Sequence, residues 1–209
     1  MDDSNIDSEK WKAYGGVSPL VMVFQQIHPL PDEMVRLVNE QTYIVEVKKN
    51  KFVISPVTRN ENMFLIIKGV VRGFMKDEGQ EITTWLNIEN DVIGSIRNLF
   101  SADYPPEYVQ ALEDVTLVCI PHSLTQYLYN NFNEANFIGR RVTEMYYQAT
   151  EERAYIGRIM SAEKRYLRFL KTEGALLERL PLKYIASYLS MRLETLVRIR
   201  TKLAKQEAG

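Results

Sequence analysis

The apolar residues of this chain follow two different periods, one in each half. Between residues 43 and 120, short apolar stretches are separated by turns rich in Gly, Pro and Asp, and several of them alternate with polar residues. Asp77-Glu78-Gly79 places a glycine in a hairpin loop, where a positive φ is favoured. Short strands at this spacing predict an antiparallel β-roll or barrel. The expected strands are 43–47, 51–54, 63–67, 70–75, 82–86, 108–111 and 115–120.

A helical period precedes and follows this region. Ser18-Pro19 is a helix start, with Ser as the N-cap and Pro in the first turn. Beyond residue 122 the apolar positions are spaced as in helices to the end of the chain. Ser161 is expected to cap one of these helices and Gly174 to end it. The expected helices are 18–27, 32–40, 123–132, 135–160, 162–172, 181–189 and 193–203.

The long helix expected at 135–160 carries an apolar stripe with a 4-3 spacing, interrupted at Glu152. Such a stripe is typical of a coiled-coil-like seam between two chains, or of a long helix packed on its own core. We favour a dimer seam, because a helix of this length between two modules has little intramolecular surface to cover it. The members of the stripe are Ile138, Val142, Met145, Ala149, Ile156 and Ile159.

The C-terminal segment predicts two helices joined by a tight turn at 190–192. The residues expected to face inward are Ile185, Ala186 and Leu189 on the first helix, and Leu196, Ile199 and Leu203 on the second. Glu194, Thr195, Arg198 and Lys202 would then share the outer face of the second helix. This is the helix-turn-helix arrangement, whose second helix enters the major groove of DNA. The alternative is a helical hairpin with a solvated basic face.

The charge of the chain is divided unevenly, although the formal net charge is only −1. Residues 1–134 hold 11 Lys and Arg against 19 Asp and Glu, a net charge of −8. Residues 135–209 hold 15 against 8, a net charge of +7. The division predicts two modules with different partners, and the basic half suits contact with phosphates.

Composition excludes several kinds of site. With one cysteine, Cys119, and two histidines, His28 and His122, the chain cannot form an internal disulfide, a Cys/His metal site or an iron–sulfur cluster, so no metal or cofactor is expected. It has no phosphate-cradling Gly loop and no Ser/His/Asp set, so an enzyme is the least favoured class. Its apolar stretches are far shorter than the roughly 20 residues that span a bilayer. The acidic start is unlike a signal peptide, and we expect a cytoplasmic protein.

Two separate regions resemble the CRP/FNR family of bacterial transcription regulators, which carry a cyclic-nucleotide-binding-type β-roll. Residues 185–189, followed by Glu-Thr-Leu-Val-Arg-Ile at 194–199, are similar to the helix-turn-helix and recognition-helix signature of that family. Independently, 68–81 resembles the central hairpin of the β-roll, 90–95 the start of its phosphate-binding cassette, and 109–114 the strand and turn that follow. The resemblance extends over about residues 20–205.

The resemblance implies an α+β fold in three parts. These are a jelly-roll-like β-roll sensor domain at 1–134, a long dimerisation helix at 135–160 and a winged-helix-like helix-turn-helix domain at 161–209. The wing is expected to be short or absent, because only six residues follow Leu203. The implied partners are double-stranded DNA, with half-sites about 34 Å apart, and a second copy of the chain. RNA polymerase is a further candidate partner.

The family's two base-contacting residues correspond to Glu194 and Arg198 in this sequence. Arginine binds the edge of guanine bidentately, and a carboxylate accepts a hydrogen bond from cytosine. The neighbours that are placed to reach bases or phosphates are Arg192, Thr195, Arg200 and Lys202.

The implied ligand pocket departs from the cyclic-AMP-binding members. Gly94-Ser95 stands where those members have Gly-Glu, and Pro105-Pro106 stands where they have the Arg-Ser pair that neutralises the cyclic phosphate. Burying a phosphate without a cation is costly, so cyclic AMP is not expected to bind in the usual way, and no effector is assigned. The pocket residues implied by the resemblance are Gly94, Ser95, Arg97, Tyr108 and Thr150.

The helix-turn-helix departs from the family as well. Ser190 replaces the usual Gly of the turn, where a left-handed conformation would cost it roughly 1 kcal/mol. Arg192 replaces the usual Ser or Thr cap, and Leu193 a polar residue or Pro. The alternative function is therefore a ligand-binding or interaction module whose degenerate helix-turn-helix no longer binds DNA specifically.

Overall fold

The structure, a computed structural model, describes residues 10–55, 61–94 and 107–207. The chain separates into two compact units, each built from two segments. The N-terminal unit comprises Met1–Val71 and Asn87–Met145, and the C-terminal unit comprises Arg72–Leu86 and Tyr146–Gly209. The division expected from the sequence follows the order of the chain. The two compact units are instead defined by which residues lie close together in space, and they group residues 72–86 with the C-terminal helices.

The described residues contain antiparallel strands and helices, as the sequence predicts. The strands are β1 Tyr43–Val47, β2 Phe52–Ile54, β3 Asn62–Lys68, β4 Val71–Asp77, β5 Gln80–Asn87, β6 Val92–Ile93, β7 Tyr108–Ala111 and β8 Val115–Pro121. The α-helices are α1 Pro19–Ile27, α2 Asp32–Gln41, α3 His122–Asn131, α4 Asn133–Arg158, α5 Ala162–Glu173, α6 Leu182–Tyr188 and α7 Leu193–Glu207.

The N-terminal unit is an antiparallel sheet covered by helices. Its strand order is β1-β8-β3-β6, and β2 pairs separately with β7. Cys119 on β8 lies opposite Tyr43 on β1 and Phe64 on β3, so it sits in the middle of the sheet. Burial raises the pKa of the Cys119 thiol, which fits a core residue and not a nucleophile. The core of this unit is formed by Trp11, Leu20, Val21, Met34, Leu37, Val38, Leu65, Val118, Ile120, Leu124, Leu128, Ala135 and Ile138.

The C-terminal unit combines a β-hairpin with helices. The hairpin, residues 72–86 of β4 and β5, turns at Glu78 and Gly79 with φ of 47° and 81°. Positive φ at both central residues is the geometry that matches the strand twist, so the predicted hairpin loop is confirmed. Ser161 caps α5 as predicted, since its hydroxyl accepts a hydrogen bond from the Lys164 N–H at 3.3 Å. Within the described residues, no helix is both long and apolar enough to cross a membrane.

Candidate nucleic-acid interface

Helices α6 and α7 form a helix-turn-helix. Of the six residues predicted to face inward, five are buried and Leu203 is half-buried. The Ser190 N–H donates to the Ser187 carbonyl, and the Met191 N–H donates to the Ala186 carbonyl, each at 3.0 Å. Ser190 has φ of 51°, so the turn does place a serine in the left-handed conformation. These two hydrogen bonds hold the turn despite that strain.

The outer face of α7 presents most of the predicted DNA-contacting residues to solvent. Arg192, Glu194, Arg198 and Lys202 are exposed, whereas Thr195 and Arg200 are half-buried. The Lys202 ammonium lies 2.7 Å from a carboxylate oxygen of Glu163 on α5. Lys202 must therefore exchange this partner before it can bind a phosphate, while Arg198 and Glu194 lie on the open face of the helix.

Two apolar residues on the same face were not assigned from the sequence. Leu193 and Val197 are 40% and 45% exposed, which is high for their size. The helical period that buries Leu196 and Ile199 also places Val197 on the outer face of α7. This period is the sequence signal from which the exposure of Val197 could have been predicted. Exposed aliphatic groups at the start of a recognition helix suit contact with the methyl group of thymine.

The hairpin brings a buried arginine to the first helix of the motif. Arg72 is 2% exposed, and its guanidinium carbon lies 4.1 Å from the ring centroids of both Phe74 and Tyr184. The guanidinium also forms an ion pair with Glu81 and a 3.4 Å hydrogen bond to the Thr83 hydroxyl. Aromatic faces and a carboxylate together compensate the burial of the charge.

Ser187 on α6 joins the same hairpin through its hydroxyl. The hydroxyl donates to the Glu81 carbonyl at 3.1 Å and accepts from the Thr83 N–H at 2.9 Å. One side chain thus satisfies a donor and an acceptor of β5 that would otherwise continue a sheet ladder. The sequence carries no local signal for the contacts of Arg72 with Tyr184 and of Ser187 with Glu81, because the partners are more than 100 positions apart.

An open cleft of about 510 Å³ lies between the hairpin and the helix-turn-helix. Gln80, Glu81 and Ile82 form one wall. The other wall is formed by Lys183, Ala186, Ser187, Ser190, Met191, Arg192 and Leu193. The cleft therefore adjoins both the turn and the first turn of α7.

Charged side chains of α5 connect the end of α4 to the motif. The Arg165 guanidinium donates to the Ile159 carbonyl at 2.7 Å and to the Ser190 carbonyl at 3.2 Å. Arg168 forms a two-pronged pair with Glu152 at 2.6 and 2.7 Å, and this pair lowers the pKa of the Glu152 carboxyl. Bidentate geometry makes this pair a positional constraint between the two helices.

Tyr188 at the end of α6 gives the C-terminal unit a pH dependence. Burial, with a smaller contribution from the Glu173 carboxylate, raises the pKa of Tyr188 to about 12, against about 10 in an unfolded chain. The folded state therefore holds this proton more tightly. Its contribution to stability is fully present below about pH 10 and is lost as the pH rises towards 12.

Tyr188→Phe is expected to remove the part of the alkaline loss of stability that Tyr188 causes. That part amounts to about 2 to 3 kcal/mol in the free energy of unfolding. The measurement is the free energy of unfolding in urea at several pH values between about 9 and 12. Tyr127→Phe, at an exposed site on α3, is the matched control and should keep the wild-type decline. An equally steep decline in the Tyr188 variant would contradict the assignment.

Three of the five predicted ligand-pocket residues, Gly94, Tyr108 and Thr150, lie among the described residues. Gly94 packs near Met63, where an added Cβ would lie 3.3 Å from the Met63 Cγ. Tyr108 is half-buried, with its ring centroid 5.8 Å from that of Phe52. Thr150 is exposed and donates its hydroxyl hydrogen to the Tyr146 carbonyl at 2.8 Å. Ser95 and Arg97 lie outside the described residues, and the described part of the chain has no cluster of metal-ligating side chains.

The predicted dimer stripe is divided between core and surface. Ile138 and Ile156 are each 2% exposed and belong to the cores of their own chain. Val142 and Ile159 are half-buried, while Met145 and Ala149 are exposed. A 4-3 spacing of apolar residues suits a helix that packs against its own chain as well as one that packs against a partner. In this structure Ile138 and Ile156, near the two ends of the stripe, pack against their own chain. The other large exposed apolar residues of α4 are Phe137, Tyr147 and Tyr155.

Comparisons with solved structures identify the fold. A transcriptional regulator of the CRP/FNR family from Eubacterium rectale superposes with a TM-score of 0.68 at 17% identity, over 85% of each chain. FixK2 from Bradyrhizobium japonicum gives 0.67 at 16% identity, over 79% of this chain and 86% of its own. The c-di-GMP-responsive regulator CLP from Xanthomonas campestris superposes with a TM-score of 0.62 at 14% identity, over 85% of this chain and 93% of its own.

No family model matches the sequence, and no curated protein matches it. The likeness therefore rests on structure, and at these identities it establishes the fold. The chain has the β-roll and C-terminal helical arrangement of the CRP/FNR regulators, and the resemblance inferred from its motifs is confirmed. The Eubacterium rectale protein is described as a transcriptional regulator, and CLP as a global regulator of virulence gene expression.

Proposed function

We propose that this chain is a homodimeric transcription regulator that binds DNA sequence-specifically through α7. The observation that carries the proposal is the exposure of Glu194 and Arg198 on the outer face of the second helix of a helix-turn-helix. In this motif the N-terminal residues of the second helix meet the base edges of the major groove. Arg198 would contact guanine, Glu194 cytosine, and Val197 a thymine methyl group.

The phosphate contacts of the proposed complex come from the basic residues around α7. Lys183 lies at the start of α6 and Arg192 in the turn, and Arg200 and Lys202 follow along α7. The excess of positive charge in residues 135–209 supplies the sequence-independent part of the affinity. The acidic part of the chain, residues 1–134, is proposed as the sensor domain, with an effector other than cyclic AMP.

Dimerisation would place two copies of α7 on one face of DNA. The exposed middle of α4, with Met145 and Ala149 one turn apart on the same face, is the surface proposed to meet its counterpart in a second chain. A two-fold dimer binds a palindromic site with half-sites about 34 Å apart. A variant with Met145→Glu and Ala149→Glu would then be monomeric in analytical ultracentrifugation and would lose the palindromic preference.

Selection from random duplexes tests the proposed function directly. We expect the purified protein to enrich a palindromic motif. We also expect its affinity for that motif to fall by about 10³- to 10⁵-fold between 50 and 200 mM salt, if the dimer makes six to ten phosphate contacts. Failure to enrich any motif, together with no salt-dependent duplex binding, would instead favour an interaction module with a degenerate helix-turn-helix. The Lys202–Glu163 pair and the strained Ser190 are the observations that favour this second candidate.

A further inference from the structure

One arginine side chain of α5 joins the end of α4 to the turn of the helix-turn-helix. The Arg165 guanidinium donates through one amino group to the Ile159 carbonyl at 2.7 Å and through the other to the Ser190 carbonyl at 3.2 Å. We propose that Arg165 is a positioning residue, which fixes the direction of α7 relative to α4 and thereby the half-site spacing that the dimer accepts. The inference rests on the proposed function and adds a determinant of specificity that touches no base.

The two carbonyls that Arg165 binds lie at points where the direction of the chain is set. Ile159 follows the last residue of α4 and precedes Met160, which is 95% exposed. Ser190 is the left-handed residue of the turn, and α7 begins three positions later. Element-terminal residues of this kind absorb the dihedral changes of hinge motions. A rotation at either point would change the angle of α7 and would also break one of the two hydrogen bonds.

Both carbonyls suit a cation. The Ile159 carbonyl lies at the negative end of the α4 dipole, where a guanidinium group is favourable. Hydrogen bonds from an ionised donor are also stronger than neutral ones. Among the described residues no carboxylate pairs with Arg165, so these two carbonyls are the acceptors of its charge.

The Arg165 side chain also carries a group that does not stabilise the fold. Its Nε is buried and has no hydrogen-bond partner among the described residues. A buried N–H without an acceptor costs free energy, because it loses its hydrogen bond to water. Replacement of the side chain removes this cost together with the two hydrogen bonds. Arg165→Gln, which is too short to reach both carbonyls, is therefore expected to fold and to keep most of the wild-type stability.

Helix α5 is itself held against its neighbours, so the Arg165 side chain starts from a fixed backbone. The bidentate pair of Arg168 with Glu152 ties α5 to α4 at 2.6 and 2.7 Å. Phe169 packs edge-on against Tyr188 of α6, with ring centroids 5.9 Å apart. Arg165 adds a link from the end of α4 to the turn itself. These contacts together make the end of α4, α5 and the turn one rigid block.

The direction of α7 matters because two copies must meet one duplex. Each base pair added between two half-sites moves the second by about 3.4 Å and turns it by about 35° around the duplex axis. If α7 is held at a fixed angle to α4, the dimer fits one spacing well. If that angle is free, the same dimer accepts several spacings.

A series of duplexes with different central spacers tests the proposal. Each duplex carries the selected half-sites, with a spacer of the selected length or one base pair shorter or longer. The wild type is expected to prefer the selected length by at least about tenfold, and Arg165→Gln by less than about threefold. Replacement of the guanine assigned to Arg198 should weaken both proteins by the same factor. An undiminished spacing preference in Arg165→Gln would overturn the positioning role.

Arg158→Gln is the matched control for the lost charge. Arg158 is exposed at the end of α4, and its guanidinium donates to the Ala154 carbonyl of the same helix at 3.2 Å. This variant removes one cation beside the same junction without separating two elements. It should bind every duplex slightly more weakly and keep the wild-type spacing preference. If it broadens the spacing as much as Arg165→Gln does, the effect is one of charge and the positioning role is wrong.

Hydrogen exchange tests the bridge without DNA. The N–H groups of Ser190 and Met191 are bonded within the turn at 3.0 Å. Without Arg165 the turn should open more often, and these two amides should exchange at least about tenfold faster than in the wild type, as measured by NMR. Arg158→Gln should exchange at the wild-type rate. Unchanged exchange in Arg165→Gln would overturn the bridge whether or not any duplex is bound.

The outcomes separate the two levels of inference. If the wild type binds the selected duplex and Arg165→Gln keeps the spacing preference, the positioning role is wrong and DNA binding stands. If no form binds any duplex, the proposed function fails and the role of Arg165 in spacing fails with it.

Discussion

Replacement of Arg198 by alanine is expected to abolish the preference for the selected motif. One bidentate contact to guanine contributes about 1 to 3 kcal/mol of discrimination. A dimer makes the contact twice, so the preference for the motif over a random duplex should fall by about 30-fold to more than 10⁴-fold. The measurement is a competition titration of both duplexes at one fixed salt concentration. Stability should be nearly unchanged, because the Arg198 side chain is exposed.

Lys202→Ala is the matched control for the loss of a cation from the same helix. It should weaken binding to all duplexes by the same factor and reduce the slope of log affinity against log salt. The effect should be modest, because Lys202 already pairs with Glu163 at 2.7 Å. If Lys202→Ala loses the preference for the selected motif and Arg198→Ala retains it, the assignment of the base contact to Arg198 is wrong.

Gly73→Ala is expected to destabilise the C-terminal unit by about 2 to 3 kcal/mol or more. A Cβ built on Gly73 would overlap the indole ring of Trp85, which packs over this glycine. The added methyl group must push the ring away from β4 or separate the two strands. Either response disturbs the strand that carries Arg72. The measurement is urea unfolding followed by Trp85 fluorescence, in a Trp11→Phe background.

Gly157→Ala provides a control of opposite sign. Gly157 lies near the end of α4, and an added Cβ there would meet nothing within 4 Å. Alanine in a helix is more favourable than glycine by roughly 0.5 to 1 kcal/mol, so this variant should be slightly more stable than the wild type. Equal stabilities of the two variants would show that Trp85 does not constrain residue 73.

Local features of the fold were predictable because they depend on nearby residues. Helix α1 begins at Pro19 and α5 follows Ser161, as expected, and the Ser161 hydroxyl caps α5. Ser18 stands at the N-cap position of α1, but its hydroxyl pairs with that of Thr42 and makes no capping hydrogen bond. The Asp77-Glu78-Gly79 hairpin follows from turn chemistry. The left-handed conformation of Ser190 was expected from the resemblance to the family, which has Gly at this turn position. The outer face of α7 follows from the helical period, which put Glu194 and Arg198 outside.

The features that the sequence did not predict depend on contacts between distant residues. The pattern Val71-Arg72-Gly73-Phe74 shows that an arginine stands in an apolar strand, but not that Tyr184 will cover it. Likewise the stripe containing Ile138 and Ile156 predicts that they are buried, without distinguishing their own chain from a partner. The ion pair between Lys202 and Glu163 is another tertiary contact without a local signal.

The discontinuous build of the C-terminal unit has a consequence for its synthesis. Glu81 and Ser187 are 106 positions apart, and a ribosome adds about 5 to 20 residues per second, so the hairpin waits roughly 5 to 20 seconds for α6 to be made. Throughout that interval Arg72 and the apolar side of β4 lack the cover of Tyr184. Chaperone capture of the nascent chain should therefore be greatest between the emergence of the hairpin and that of α6. A fragment beginning at residue 161 would have no hairpin to receive α6, so it is a poor substitute for the whole chain in binding experiments.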